Sequence, residues 1–191
     1  GRIFADNWHS DWSFMTVPPS GTMLYGLIIP TEGGDTLFSN QHLAWEGMPP
    51  DMKAQYKDLT AVHSAKSAYS RDGAYSEENF QGAMRIAVSD EANKVEPHPV
   101  IRPHPENGRT GIFGGGYLVD LDGMNHASAK EMLKELQNWQ DRDEFVYRHK
   151  WEPDMLVLWD NRSVLHRATG GYEGQERLLH RLTIADNPAY Y

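Results

Sequence analysis

The chain has no cysteine among its 191 residues, which excludes a disulfide scaffold, a zinc finger, an iron–sulfur cluster and a thiol nucleophile. No run approaches 18 consecutive apolar residues, so nothing in the sequence reads as a membrane-spanning helix. The opening residues Gly1-Arg2-Ile3-Phe4-Ala5-Asp6 lack the basic, apolar and small-residue layout of a signal peptide, and the expected location is the cytoplasm. Basic side chains are in deficit, 18 against 27 acidic ones, and a net charge of −9 argues against non-specific binding to nucleic acid or an anionic membrane. Internal repeats, low-complexity tracts and Gly/Ser linkers are also missing, so residues 1–191 read as a single domain with a small-molecule partner, compatible with a homo-oligomer. What is present is a hydrophobic content of 39% with six Trp and nine Tyr, enough for a real core. Nine histidines stand out because no cysteine shares metal duty with them.

Strand signals dominate. Gly21–Pro30 is an apolar, β-leaning run, and Thr36–Ser39 is a short strand after the turn residues Glu32-Gly33-Gly34-Asp35. The segments 99–102 and 110–113 flank a hairpin connection at His104–Gly108. The continuous apolar run Met155–Trp159 predicts a strand buried on both faces. Arg177–Ile184 alternates, placing Arg177, Leu179, Arg181 and Thr183 on one face and Leu178, His180, Leu182 and Ile184 on the other, with His180 expected in core packing. Two helices interrupt this pattern. One is signalled by the Ser128-x-x-Glu131 capping box and the stripe Met132, Leu133, Leu136, Trp139; the other runs from Pro50 to about Leu59, with Met52, Tyr56 and Leu59 inward. Many short strands with two covering helices predict a mainly β fold of the jelly-roll kind. Ala65–Glu96 is polar and weakly periodic and reads as a long loop, of the type that forms lids.

His9-Ser10-Asp11 is a His-x-Asp pair, whose side chains would share a face on a strand. A divalent iron uses such a pair with one more imidazole, leaving positions open for substrate and oxygen. Chance alone places roughly 1.3 His-x-acid pairs in a chain of this composition, and there are two. The second, His104/Glu106, lies in the proline-flanked hairpin turn Pro103-His104-Pro105-Glu106 and reads as surface structure. A third ligand must come from a distant strand. His166 follows the apolar run and would sit near a strand end, where a lone histidine is more often a satisfied core residue than a ligand. Arg177 and Arg181 lie four apart on one face of the last strand, and an inward guanidinium must meet an anion, whether a ligand or a structural carboxylate.

Taken together, Trp8-His9-Ser10-Asp11, Gly33-Gly34-Asp35-Thr36, His98–Gly108 and Trp159-Asp160-Asn161-Arg162 through His166, Arg177 and Arg181 resemble the TauD/TfdA family of iron(II)- and 2-oxoglutarate-dependent dioxygenases. The likeness spans essentially the whole chain, with 27 residues from His9 to Thr36, 11 from His166 to Arg177 and four more to Arg181. It implies a double-stranded β-helix (jelly roll) with His9, Asp11 and His166 as catalytic iron ligands. Arg177 and the Thr36 hydroxyl would hold the far carboxylate of 2-oxoglutarate. Arg181 would meet an anionic group of the primary substrate, and Tyr117 would line the substrate pocket. The implied reaction consumes 2-oxoglutarate and O2, releases succinate and CO2, and hydroxylates a small anionic molecule such as a carboxylate or sulfonate.

Three departures qualify the resemblance. Family members carry a longer segment before the first ligand, so the N-terminal portion is expected to be missing here. Ala5 stands where taurine-acting members have an asparagine, which argues against taurine. Gly114-Gly115-Gly116 permits close backbone approach or mobility, or forms a plain turn. Two other readings remain: a jelly-roll binding module without turnover, which a broken ligand set would favour, and a cupin-like metal enzyme of different chemistry, which would not require Arg177 and Thr36 at this spacing.

Overall fold

The computed structural model describes residues 3–80, 82 and 84–191. The chain is mainly β, with strands β1 (Gly21–Ile28), β2 (Thr36–Asn40), β3 (Thr60–Ser64), β4 (Val95–Pro99), β5 (Ile101–Pro103), β6 (Thr110–Ile112), β7 (Leu118–Leu121), β8 (Val146–His149), β9 (Leu156–Asp160), β10 (Val164–Ala168) and β11 (Leu178–Ile184). Helices α1 (Gln41–Gly47), α2 (Pro50–Tyr56), α3 (Lys66–Tyr69) and α4 (His126–Gln140) punctuate them. The strands form antiparallel sheets in the orders β11-β1-β9, β10-β2-β8 and β4-β3-β7, with β5 and β6 as a separate hairpin. The first two sheets meet through aromatic rings: Trp159 of β9 lies 5.4 Å from Phe38 of β2 and 4.6 Å from His166 of β10, between centroids. No helix among the described residues is long and apolar enough to cross a membrane.

The main apolar cluster lies beside this pair of sheets. Met52 and Tyr56 of α2 and Leu133 and Leu136 of α4 pack with Val100, Ile112, Leu118 and Leu121. Each large side chain buried this way contributes roughly 1.5–3 kcal/mol. Helix α4 starts earlier than the Ser128 capping box predicts, because the Asn125 side chain accepts the Ala127 N–H and takes the cap. Helix α1, which the sequence reading does not predict, is capped in the same way by Asn40 at the end of β2.

Three expectations need correction. The Met155–Trp159 run is not buried on both faces: β9 is an edge strand of its sheet, with Leu156 and Leu158 exposed and Trp159 inward. Along β11, His180 is exposed rather than packed in the core, on the same outward side as Leu182. Apolar content alone does not reveal whether a second layer covers a sheet face. The third concerns His104, which is not a surface feature, although Glu106 is exposed as expected. His104 is buried with Nε2 2.9 Å from Asp160 Oδ2, and Glu106 reaches the buried Arg162 at 3.1 Å. Arg162 also binds Asp160 at 2.8 Å and Asp186 at 3.3 Å, so the hairpin turn closes a buried charge network.

His63 of β3 is fully buried, stacked on Phe113 and edge-on to His98, with Nδ1 3.0 Å from Ser13 Oγ and no partner for Nε2. Burial, with His98 and Arg102 adding to it, pushes its pKa down from 6.5 to about 3. Between those two values the unfolded chain carries a proton on this ring that the folded chain does not, so stability rises with pH across that window. Urea unfolding should therefore show the protein less stable at about pH 5 than at about pH 7, with ~2 kcal/mol of the difference from this group. A folded His63→Phe variant should lose correspondingly less on acidification; an unchanged loss would contradict the assignment.

Candidate metal centre

His9 and His166 are joined through their backbones. The His9 N–H donates to the His166 carbonyl at 3.1 Å and the His166 N–H donates back at 2.9 Å, which sets the two imidazoles 4.2 Å apart between centroids. His166 thus sits in the middle of β10 rather than at its end. The segment around His9 is not a strand: it makes this one bridge and then turns, with Trp12 at a φ of 48°. The turn still delivers Asp11, whose Oδ1 lies 3.6 Å from His9 Nε2 and 3.7 Å from His166 Nε2. One donor atom from each of these three buried residues falls within 4.8 Å of the others, and this is the cluster of metal-ligating type found among the described residues.

Protonation suits metal binding. Burial by itself pushes the Asp11 carboxyl up, but the neighbouring His166, His9 and Arg181 side chains together hold it below the usual carboxylate range. Burial, with His9 adding to it, pushes His166 down to about 3, so this ring is neutral at neutral pH. His9 Nδ1 lies 2.8 Å from the Asn7 carbonyl oxygen, and donation there leaves the Nε2 lone pair facing the cluster.

The glycine run supports the ligand loop. The Gly116 N–H donates to the Trp8 carbonyl at 2.7 Å, and a Cβ on Gly115, which has a φ of 152°, would stand 2.9 Å from that oxygen and 3.0 Å from His9 Cα. Close backbone approach, among the options the sequence leaves open, is therefore its role.

A cavity of about 860 Å³ opens beside the cluster, lined by His9 and His166 and by Thr36, Arg177 and Arg181. Phe4, Leu24, Phe80, Met84 and Leu179 give it a broad apolar wall, with Phe80 and Met84 supplied by the long segment before β4. Arg177 reaches the Gly34 carbonyl at 3.1 Å, and its buried Nε has no partner. Burial pushes the pKa of this guanidinium down, as expected for a charge that no protein carboxylate pairs among the described residues. Thr36 Oγ1 accepts a hydrogen bond from Trp151 Nε1 at 3.0 Å, so its own hydrogen is free to be donated. Arg181 is also drawn into the cluster, with Nη2 2.9 Å from Asp11 Oδ1. Tyr117 does not line the cavity. It is buried behind His9, edge-on at 5.9 Å, against Phe14 and within 3.5 Å of the Tyr69 hydroxyl. The sequence reading missed Trp151, Thr22 and Asn161, which orient site residues from behind. The Trp159–Arg162 motif was the one signal pointing toward Asn161.

Comparison with known proteins gives a consistent result. The sequence pattern described as Taurine catabolism dioxygenase TauD, TfdA family matches residues 2–183. The chain is 34% identical over 183 residues to an alkylsulfatase of Acinetobacter baylyi, covering 95% of this chain and 57% of that protein. It is 33% identical over 189 residues to the alpha-ketoglutarate-dependent 2,4-dichlorophenoxyacetate dioxygenase of Cupriavidus pinatubonensis, covering 98% and 62%. The chain thus spans about six-tenths of the length of these relatives. The crystal structure of AAD-2 in complex with Mn(II) and N-oxalylglycine superposes with a TM-score of 0.78 at 28% identity, covering 93% of this chain and 68% of that one. A taurine dioxygenase from Burkholderia xenovorans gives 0.76 at 28% identity, covering 94% and 57%.

The close approach at Gly115 generates a direct test. Gly115→Ala should lower stability by roughly 1–3 kcal/mol, because the methyl group meets backbone on the ligand loop. Gly108→Ala, at a φ of 70° with nothing within 4 Å, should cost only about 1 kcal/mol. Equal shifts in thermal unfolding would show that the Gly115 contact is not tight.

Proposed function

Because the chain belongs to the taurine catabolism dioxygenase TauD, TfdA family, we propose that it serves as an iron(II)- and 2-oxoglutarate-dependent dioxygenase that hydroxylates a small anionic organic molecule. The observation that carries this reading is the buried His9–Asp11–His166 cluster at the wall of a cavity that also holds Arg177, a half-buried cation with a buried, unpartnered Nε. In this reading the two facing three-stranded sheets are the halves of a double-stranded β-helix.

The donors fit a divalent iron: two neutral imidazole nitrogens and one carboxylate oxygen on one side leave the cavity side open. Iron(II) with 2-oxoglutarate and O2 supplies, when bound, the oxidising power that places a hydroxyl on a substrate carbon while succinate and CO2 are released. The chain's own residues bind and orient. Arg177 offers a fixed positive charge for the far carboxylate of 2-oxoglutarate, and Thr36, held by Trp151, donates to the same group. Arg181 brings a second positive charge to the cavity wall for an anionic substrate. The wall of Phe4, Leu24, Phe80 and Met84 suits an organic body and excludes water from the reacting face. The names of the relatives, an alkylsulfatase and a dichlorophenoxyacetate dioxygenase, support a substrate that joins an anionic group to an apolar part.

Anaerobic titration with iron(II) and then 2-oxoglutarate should produce a visible metal-to-oxoacid charge-transfer band, and its absence would contradict the reading. Succinate release on adding O2 should then depend on a sulfonate, sulfate ester or carboxylate drawn from a panel. Arg177→Ala should weaken 2-oxoglutarate binding by about 10- to 100-fold, the equivalent of one lost charge-assisted contact, while sparing metal affinity. Equal loss of both would make Arg177 structural.

A further inference from the structure

Asp11 has two carboxylate oxygens, and the structure treats them differently. Oδ1 faces His9, His166 and Arg181. Oδ2 faces away from the cluster and accepts a 2.6 Å hydrogen bond from Thr22 Oγ1 on β1. Thr22 Oγ1 lies 2.9 Å from Asn161 Nδ2, and Asn161 Oδ1 lies 2.9 Å from Trp159 Nε1. All four residues are buried, with Thr22 fully so.

The direction of this chain follows from chemistry. An indole N–H can only donate, so the Asn161 amide must turn its oxygen to Trp159 and its NH2 group to Thr22. Thr22 Oγ1 then accepts from Asn161, and its single hydrogen goes to Asp11 Oδ2. Each link leaves the next no alternative orientation. The relay is anchored at its middle and at one end: the Ser10 hydroxyl donates to the Asn161 carbonyl at 2.7 Å, the Asn161 N–H donates to the Ser20 carbonyl at 2.9 Å, and the Trp159 ring lies against His166.

We propose that Trp159, Asn161 and Thr22 are positioning residues forming a one-way hydrogen-bond relay that makes Asp11 a single-oxygen metal donor. With Oδ2 held on Thr22, Oδ1 is the oxygen turned to the two imidazoles and presented to a metal, and the position a second carboxylate oxygen would take stays open for substrates. The relay rests on the reading of His9, Asp11 and His166 as a metal site. It adds to that reading which oxygen binds and which residues, none of them a ligand, decide it.

The test uses metal alone. Mn(II) affinity is measured by calorimetry, and the Co(II) d–d spectrum reports coordination number, for the unaltered protein, Thr22→Ser, Thr22→Val and Trp159→Phe. Thr22→Ser keeps the donor and should match the unaltered protein. Thr22→Val, near in shape but without the hydroxyl, should bind Mn(II) about 10- to 100-fold more weakly, with a Co(II) spectrum shifted toward a higher coordination number as Oδ2 joins. Trp159→Phe frees the Asn161 amide to flip and should show the same spectral shift with a smaller loss of affinity; it carries the test should Thr22→Val not fold. Folded variants with unchanged Mn(II) affinity and Co(II) spectrum would overturn the relay while leaving the metal site standing. An unaltered protein that binds neither metal would overturn the site itself and the relay with it.

Discussion

The reciprocal pair of backbone hydrogen bonds between His9 and His166 is the constraint on which the site depends. It joins a segment near one end of the described chain to the middle of β10, and no side-chain interaction could set two imidazoles side by side as firmly. Once that bridge is made, the turn after Ser10 carries Asp11 Oδ1 to 3.6 and 3.7 Å from the two Nε2 atoms, close enough for one metal ion to meet all three. The glycine run at 114–116 then packs its backbone against the bridge from behind, where any side chain would collide. The three residues of the cluster are therefore held by main chain first and by their own side chains second, the kind of pre-organisation that suits a metal site.

Charge is distributed in keeping with this frame. A buried carboxylate is costly without a partner, and Asp11 meets Arg181 and the two histidines. Arg177 is the mirror case, a half-buried cation facing a cavity with no carboxylate against it among the described residues, and that imbalance suits an anionic ligand. The motif Trp159-Asp160-Asn161-Arg162 serves two networks by alternation. Trp159 and Asn161 run toward Asp11, whereas Asp160 and Arg162 join His104, Glu106 and Asp186. A short stretch at the end of one strand thereby couples the metal ligand to the hairpin that closes the fold.

Much of the site was legible because its residues stand in motifs that, in their order and spacing, resemble those of a known family; the residue types alone left His166 and the two arginines open to structural roles. His9, Asp11, His166, Thr36, Arg177 and Arg181 all converge on the cluster or its cavity. What was not legible depends on neighbours distant in sequence. An apolar strand such as β9 looks the same whether one face or both are covered, so the exposure of Leu156 and Leu158 could not be read from the run itself. His104 looked like a turn residue because its partner Asp160 lies far along the chain. Tyr117 was one of nine tyrosines, and only the packing shows it behind His9 instead of in the cavity. Helix α1 escaped notice because its cap, Asn40, is also the last residue of a strand. The donors behind Asp11 and Thr36 are ordinary Thr, Asn and Trp residues, whose roles arise only when the sheets are assembled.

The most direct test of the account is an anomalous-diffraction map from crystals of the protein loaded with Mn(II) and 2-oxoglutarate. The account predicts one metal peak bound by His9 Nε2, His166 Nε2 and Asp11 Oδ1, with Asp11 Oδ2 still on Thr22 and the far carboxylate of 2-oxoglutarate between Arg177 and Thr36. A metal held by other residues, or an oxoacid that leaves Arg177 without an anion, would contradict it.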